Sequence, residues 1–241
     1  MIAATTVLFF SLVQSLFGMG LLVFGTPTLL LLGFDFPETL AILLPASITI
    51  SCLQLLEGWL IERQFAKQFI LWCLPSLGLG LAALIKYSPT ISLELALGLL
   101  MLTFASFQLV PRLSVRARGL VRQNASVSMV LMGMVHGISN LGGSVLSVVA
   151  SAHFDEKVEI RRTVAFCYLC FASVQLLILF LFKPEIFAWQ HLLVMVIAGT
   201  VYLALGRRTF ALLPQVAFER LFLAFMFAYA LVLCGRGMGF V

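Results

Sequence analysis

Charged side chains are scarce in this sequence. Only 10% of its 241 residues are Asp, Glu, Lys or Arg, whereas 62% are hydrophobic, and the mean hydropathy is +1.12. A soluble domain carries about 25% charged residues, so this chain lacks the polar groups that would cover a surface in water. Its surplus apolar surface must contact lipid instead, and we predict an all-α, polytopic membrane protein in the lipid bilayer.

Acidic residues are nearly absent from the centres of the apolar segments, and catalytic sets are missing. Glu57 and Glu94 lie near segment ends, and no deep carboxylate cluster of the kind that binds cations is present. The sequence has no nucleophile–base set, no metal-ligand spacing and no nucleotide fingerprint. We therefore expect no enzyme activity, no cofactor and no metal, and an anion or a neutral solute fits better than a cation.

Basic residues are present, with a formal net charge of +5. Their densest cluster lies between two apolar segments and consists of Arg112, Arg116, Arg118 and Arg122. Cytoplasmic loops of membrane proteins carry such an excess, so nucleic acid is not expected as a partner.

Eight apolar blocks follow one another along the chain, at 3–33, 39–60, 68–85, 91–110, 125–152, 163–182, 188–205 and 216–235. Six suit a helix of about 20 residues that crosses a bilayer. The first and the fifth contain helix-breaking residues, which are Gly18, Gly20, Gly25 and Pro27 in one, and Gly137, Asn140, Gly142 and Gly143 in the other. We predict that these two blocks break near the membrane midplane, the first into half-helices at 5–17 and 21–33.

The basic stretch 111–123 divides the chain into an N-terminal membrane repeat, 1–110, and a C-terminal membrane repeat, 124–241. A spacing near 122 places Gln14 opposite His136 and Gly20 opposite Gly142, and a spacing of 121 places Gln54 opposite Gln175. The block order repeats as well, which predicts an internal repeat joined by a cytoplasmic linker.

The placement of the 15 Lys and Arg residues tests the topology. If all eight blocks cross the membrane, these residues divide almost evenly between its two sides. If the first and fifth blocks are re-entrant, every one except Lys86, Lys183 and Arg236 lies on the side of the linker. The positive-inside rule favours this second arrangement, which predicts two inverted repeats, each with a broken, re-entrant first helix and three transmembrane helices.

Polar and small residues cluster at the two predicted breaks. Each returning half-helix begins there, and its free N–H groups and dipole would attract an anion. Neutral donors beside the breaks are Ser15, Ser139, Asn140 and Ser144, and further polar side chains are Gln14, Gln54, His136 and Gln175. The alternative is structural: small residues allow close helix packing, amides join helices, and His136 is a hydrogen-bonded core residue.

Two other functions remain open at this point. Cys167 and Cys170 form a C-x-x-C motif, which elsewhere indicates thiol–disulfide exchange and here would make the chain a membrane electron carrier. A membrane subunit without transport activity of its own is the third reading.

The openings SLFGMGLLVFGTPTLLLLGF (15–34) and MVHGISNLGGSVLSVVA (134–150) resemble those of the TauE/SafE sulfite-exporter family. The resemblance implies a multi-pass permease or exporter of the bacterial inner membrane for sulfite, a sulfonate or a related sulfur-containing organic anion. It implies substrate contacts at Gly18, Gly20, Gly25, Pro27, Gly137, Asn140, Gly142 and Gly143. The family often has consecutive glycines in the first opening, where Met19 and Leu21 stand here. A coupling ion, H⁺ or Na⁺, and a second copy of the chain are further partners that the sequence leaves open.

Overall fold

The computed structural model describes residues 2–58, 61–87, 93–154, 156–212 and 214–239, and within these ranges the chain is helical with no strand. The α-helices in the first half are α1 Ile2–Phe17, α2 Leu21–Leu31, α3 Phe36–Leu56, α4 Arg63–Gln68, α5 Leu74–Tyr87 and α6 Leu93–Leu109. They continue with α7 Pro111–Gln123, α8 Ala125–Ser139, α9 Gly142–His153, α10 Lys157–Phe182, α11 Leu193–Val201, α12 Arg207–Leu212 and α13 Gln215–Gly237. The π-helical segments Phe69–Cys73 and Tyr202–Gly206 join α4 to α5 and α11 to α12.

The first and fifth blocks are broken, as predicted. Gly18 and Gly20 separate α1 from α2 with φ of +73° and +144°, which L side chains rarely adopt. Asn140 ends α8 with φ of 60°, in the left-handed region that asparagine tolerates better than other side chains.

The first break falls at 18–20, between the two predicted half-helices, so that Gly25 and Pro27 lie inside α2, and in the fifth block Gly137 lies inside α8. Gly25 faces the Leu43 side chain of α3 and Gly137 faces the backbone of α5, so both serve close helix contact. Pro27 lies within α2, and the next residue, Thr28, donates from its hydroxyl to the Phe24 carbonyl over 2.6 Å.

Both broken blocks fold back on themselves. Arg122 at the end of α7 donates to the carbonyl of Ala152 near the end of α9, so the α8–α9 block ends on the side where it began. In the first block, the rings of Phe10 and Phe24 stack 6.2 Å apart, and both contact the ring of Tyr229 in α13. The two helices of each block therefore form a hairpin.

The contacts also sort the helix ends onto two faces. Glu57, after α3, forms ion pairs with Arg161 at the start of α10 and with Arg207 at the start of α12. On the opposite face, Arg236 donates to the carbonyl of Leu31. The arginine-rich face is the one that the hairpin arrangement predicts to be cytoplasmic. The inverted relation between the two halves stays a prediction.

His191 lies on the face of Leu31, in the turn before α11. Burial lowers the pKa of its imidazole, and the nearby carboxylate of Glu38 acts in the opposite direction. Glu38 also completes a capping box with Asp35, which fixes the start of α3.

Helix pairing places the two breaks in the protein centre. α3 packs against α10, α6 against α13, α1 against α11 and the second π-helical segment, and α8 against α5 and the first π-helical segment. Among the described residues, four helices are long and apolar enough to cross a membrane: Phe36–Leu56, Arg63–Lys86, Val158–Phe182 and Leu193–Leu212. The predicted all-α membrane protein is confirmed, and the basic stretch 111–123 forms the helix α7.

Candidate functional site

The first opening consists of Gly18, Met19 and Gly20, between α1 and α2. Gln14, one turn earlier, is fully buried, and its amide donates to the Ser47 hydroxyl over 3.0 Å and to the Ser51 hydroxyl over 3.4 Å. These hydrogen bonds fix the last turn of α1 against α3. A buried amide that is paired in this way holds the opening in one position.

The carbonyls at the end of α1 are also occupied. Gln54 donates from Nε2 to the carbonyls of Gln14 and Ser15, over 3.1 and 3.2 Å. Arg161 donates from Nη1 to the Ser15 carbonyl over 3.4 Å. Because a helix C-terminus carries partial negative charge, the guanidinium and the amide both stabilise this end.

Arg161 is the charged group nearest the first opening. Its side chain is only 10% exposed, its Nη2 lies 2.8 Å from Glu57 Oε2, and its guanidinium carbon lies 3.6 Å from the centre of the Phe210 ring. Glu57 also contacts Arg207 Nε over 3.3 Å. The three charged groups together carry one net positive charge at the arginine-rich face.

The second opening is the turn Asn140–Leu141, between α8 and α9. The Asn140 amide donates to the Thr26 hydroxyl of α2 over 3.0 Å, and its carbonyl oxygen accepts from Gln175 of α10 over 2.7 Å. Ser139 bonds to the Val135 carbonyl and accepts from the Leu141 N–H over 3.1 Å. The second opening is therefore tied to both halves of the chain.

His136 lies one turn before the second opening and is fully buried. Its ring stacks on Phe171 at 4.0 Å and meets Tyr168 edge-on at 5.6 Å. Gln175 lies beside it, yet among the described residues neither ring nitrogen has a hydrogen-bond partner of good geometry. The role of His136, as a structural residue or as a ligand contact, stays a prediction.

The two openings touch each other. A Cβ atom built on Gly143, in the first turn of α9, would lie 2.8 Å from Val23 Cγ2 and 3.1 Å from Met19 Sδ. Together with the bond from Asn140 to Thr26, these contacts show that the first turns of α2 and α9 lie side by side. The sequence predicted that both breaks lie near the membrane midplane, and the structure shows that the helices that follow them, α2 and α9, overlap laterally at their first turns.

Both returning helices begin buried and without a side-chain cap. The residues that precede them, Gly20 and Leu141, form no side-chain capping bond. Leu21, Leu22 and Val23 are completely buried, and so are the glycines that begin α9. The first N–H groups of a helix have no partner within the helix, so two partial positive charges lie close together in the interior.

The other predicted contacts separate into two groups. Gly18 faces the Arg161 carbonyl and Gly20 faces Val13 and Gln14, so both lie at the first opening. Gly25 faces α3 and Gly137 faces α5, and the substrate contacts predicted for these two glycines and for Pro27 stay predictions. The Ser144 side chain lies outside the described part of the chain.

Sequence reasoning did not find Tyr168, and it counted Arg161 only as a loop charge. A usable signal was present, because Arg161, Tyr168 and Gln175 follow one another at intervals of seven residues. That interval places them on one face of a helix. This face of α10 passes both openings, with Arg161 at the first and Tyr168 and Gln175 at the second.

A cavity of about 660 Å³ lies elsewhere, between α3, α10 and the turns before α11. Its lining is mostly apolar and includes Phe180, Phe187, Trp189 and Leu192. Such a lining is suited to hydrocarbon and offers little to an anion.

Cys52, Cys73, Cys167, Cys170 and Cys234 are all free thiols.

A family model described as "Sulfite exporter TauE/SafE" matches residues 3–233. No curated protein and no solved structure matches the chain.

Proposed function

The chain belongs to the sulfite exporter TauE/SafE family, and on this premise we propose that it transports a small anion across the bacterial inner membrane. The substrate would be sulfite, a sulfonate or a related sulfur-containing organic anion. The protein would act as a permease and not as an enzyme.

One observation carries this proposal: two uncapped helix N-termini lie side by side in the protein interior. N–H groups at such ends bind anions, and buried ends without partners leave backbone donors unsatisfied. In transporters with interrupted helices, these ends point at anionic groups of the substrate. An anion at the start of α2 or of α9 would satisfy the free N–H groups of that helix.

The arginine-rich face supports the same proposal. Arg161 and Arg207 share the single carboxylate of Glu57, so the approach to the first opening has an excess of positive charge. A positive surface raises the local concentration of anions and speeds their arrival. Anions on that side would meet the first opening before the second.

Flux through the purified protein tests the proposal. Vesicles that contain the protein would be loaded with sulfite, and its release would be followed with and without a pH gradient. Methanesulfonate and chloride would be tested in parallel, and vesicles without protein give the leak. We expect faster release of sulfite or methanesulfonate than the leak. Folded protein in sealed vesicles that passes none of these anions would contradict the proposal.

A pair of glycine variants tests the position of the path. A Cβ on Gly142 would overlap the His136 side chain, whereas a Cβ on Gly119 of α7 has no atom within 4 Å. Steric overlap of this kind costs about 1–3 kcal/mol, so we expect Gly142→Ala to lower flux about tenfold or more. Gly119→Ala should transport normally. Equal flux in the two variants would place the path elsewhere.

A further inference from the structure

Polar atoms without partners surround the start of α9. In the part of the chain that the structure describes, no hydrogen-bond partner is present for His136 Nδ1, His136 Nε2, the Tyr168 hydroxyl or Gln175 Oε1. All three residues are completely buried. Buried polar groups in proteins are nearly always paired, so such a group of exceptions needs an explanation.

These atoms lie against the same helix turn. A Cβ on Gly142 would lie 2.8 Å from His136 Nδ1, and a Cβ on Gly143 would overlap the Tyr168 hydroxyl. Phe171 stacks on the His136 ring and holds it in this position. Only glycine permits this approach, so the His136 ring and the Tyr168 hydroxyl lie directly against the first turn of α9, where the backbone N–H groups are free of helical partners.

The charge at this point comes from dipoles and not from ions. Arg161 is the cation on this face of α10, but it lies seven residues before Tyr168 and is paired with Glu57. The titratable groups beside Tyr168 are His136 from α8 and the Cys167 thiol from α10, and Cys167 in turn lies near the thiols of Cys170 and of Cys73 in the first π-helical segment. None of these supplies a fixed positive charge.

We propose that the second opening binds one singly charged oxyanion, and that sulfite is carried as hydrogensulfite and not as the dianion. This inference rests on the proposed function and names the ionic form of its substrate. The α9 N–H groups and the Tyr168 hydroxyl donate to the negative oxygens. Gln175 Oε1 accepts the ligand's proton, and the N–H of neutral His136 donates to a ligand oxygen.

The physical reason is the cost of burying charge. A second negative charge on the ligand would lose its hydration without gaining a cation in exchange. A dianion also offers only acceptors, and would leave Gln175 Oε1 unpaired. A protonated monoanion offers both kinds of hydrogen-bonding group, which matches the atoms that the opening leaves without partners.

The pH dependence of flux tests this inference. Initial rates would be measured in vesicles with equal pH on both sides, for sulfite and for methanesulfonate, which stays singly charged throughout. We expect the sulfite rate at fixed total sulfite to fall in proportion to the hydrogensulfite fraction, approaching about tenfold per pH unit in the alkaline range. Methanesulfonate carries no proton for Gln175 Oε1, so we expect it to move more slowly than hydrogensulfite, but at a rate that stays level with pH and so controls for titration of the protein.

Each other outcome is informative. If sulfite flux stays constant or rises with pH while methanesulfonate flux is level, the dianion is carried and the inference is wrong, although the transport proposal stands. If both rates fall together, a group of the protein controls the rate and the inference is again wrong. If neither anion moves, the transport proposal itself fails.

Tyr168→Phe tests the donor, because it removes the hydroxyl and keeps the ring. Without sulfite the Tyr168 hydroxyl forms no hydrogen bond that would stabilise the protein. The thermal midpoint of Tyr168→Phe without sulfite should therefore equal or exceed that of the wild type. Sulfite flux should fall about tenfold, and the stabilisation that sulfite gives should be lost. Full flux with full stabilisation by sulfite would remove Tyr168 from the site.

Tyr229→Phe is the matched control. Its hydroxyl lies 2.9 Å from the Thr28 hydroxyl, so it already has a partner. This variant should lose stability without sulfite and keep the stabilisation that sulfite gives. If Tyr168→Phe behaves in the same way as Tyr229→Phe, the Tyr168 hydroxyl is structural and the inference fails.

Discussion

Gln54 and Gln175 hold the two broken helices in parallel ways. Gln54 in α3 donates to the backbone carbonyls of Gln14 and Ser15 at the end of α1, and Gln175 in α10 donates to the side-chain carbonyl of Asn140 at the end of α8. The repeat alignment placed these two glutamines opposite each other. Each reaches the helix end before an opening from the long helix of its own half.

Loss of the Gln54 amide should destabilise the protein. Gln54→Ala removes the donor for two carbonyls in a region where Gln54 is 3% exposed, and unsatisfied buried acceptors cost about 1–3 kcal/mol. We expect a lower thermal midpoint in detergent. Gln64→Ala, an exposed position in α4, serves as the control and should unfold like the wild type. An unchanged midpoint for Gln54→Ala would show that this contact does not stabilise the end of α1.

Removal of the Glu57 carboxylate should destabilise the protein more than removal of its exposed partner Arg207. Glu57→Gln leaves Arg161 largely buried without its counter-charge, whereas Arg207→Ala removes a side chain that is 70% exposed. We expect Glu57→Gln to lower stability by about 1–3 kcal/mol and Arg207→Ala by less than about 1 kcal/mol. Thermal unfolding in detergent measures both.

The control for Glu57 is Glu62→Gln, an exposed carboxylate on the same face. It should unfold like the wild type. A larger loss from Arg207→Ala than from Glu57→Gln would contradict the assignment of Arg161 as the buried member of this network.

A variant without cysteine should still transport. All five cysteines are free, and the proposed anion path uses none of their thiols. We expect a variant with every cysteine replaced by alanine to retain sulfite flux, with some loss of stability from the buried positions Cys73 and Cys167. If this variant folds but does not transport, and restoring Cys167 and Cys170 alone recovers the flux, these two thiols are required, which supports the thiol–disulfide interpretation and contradicts an anion path without cysteine.

Helix breaks were predictable from sequence because their cause is local. Gly18, Gly20 and Asn140 break the helix through backbone conformations that few other residues adopt. Gly25 and Gly137 looked the same in sequence but are helical, because each allows close contact with a neighbour, Leu43 or Leu77, that lies elsewhere along the chain. Composition identifies a small residue without indicating what packs against it.

The side chains that complete the openings were less accessible to sequence reasoning. Arg161 lies near the start of an apolar block, where a lipid-facing or loop position is the simplest expectation. Tyr168 stands inside the C-x-x-C motif, which directed attention to the two cysteines. The lateral overlap of α2 and α9 depends on how both hairpins pack, and no periodicity within either segment encodes it.

The hairpin return of the broken blocks is the central physical claim, and labelling with a membrane-impermeant thiol reagent tests it most directly at the α8–α9 block. In the cysteine-free background, single cysteines would replace Asn124 and Glu156, which flank the α8–α9 block, with Glu62→Cys and Glu185→Cys as references for the two faces. The account predicts that Asn124→Cys and Glu156→Cys react from the same side as Glu62→Cys, and that Glu185→Cys reacts from the opposite side. Reaction of Asn124→Cys and Glu156→Cys from opposite sides would show that α8 and α9 cross the membrane, and would contradict the account.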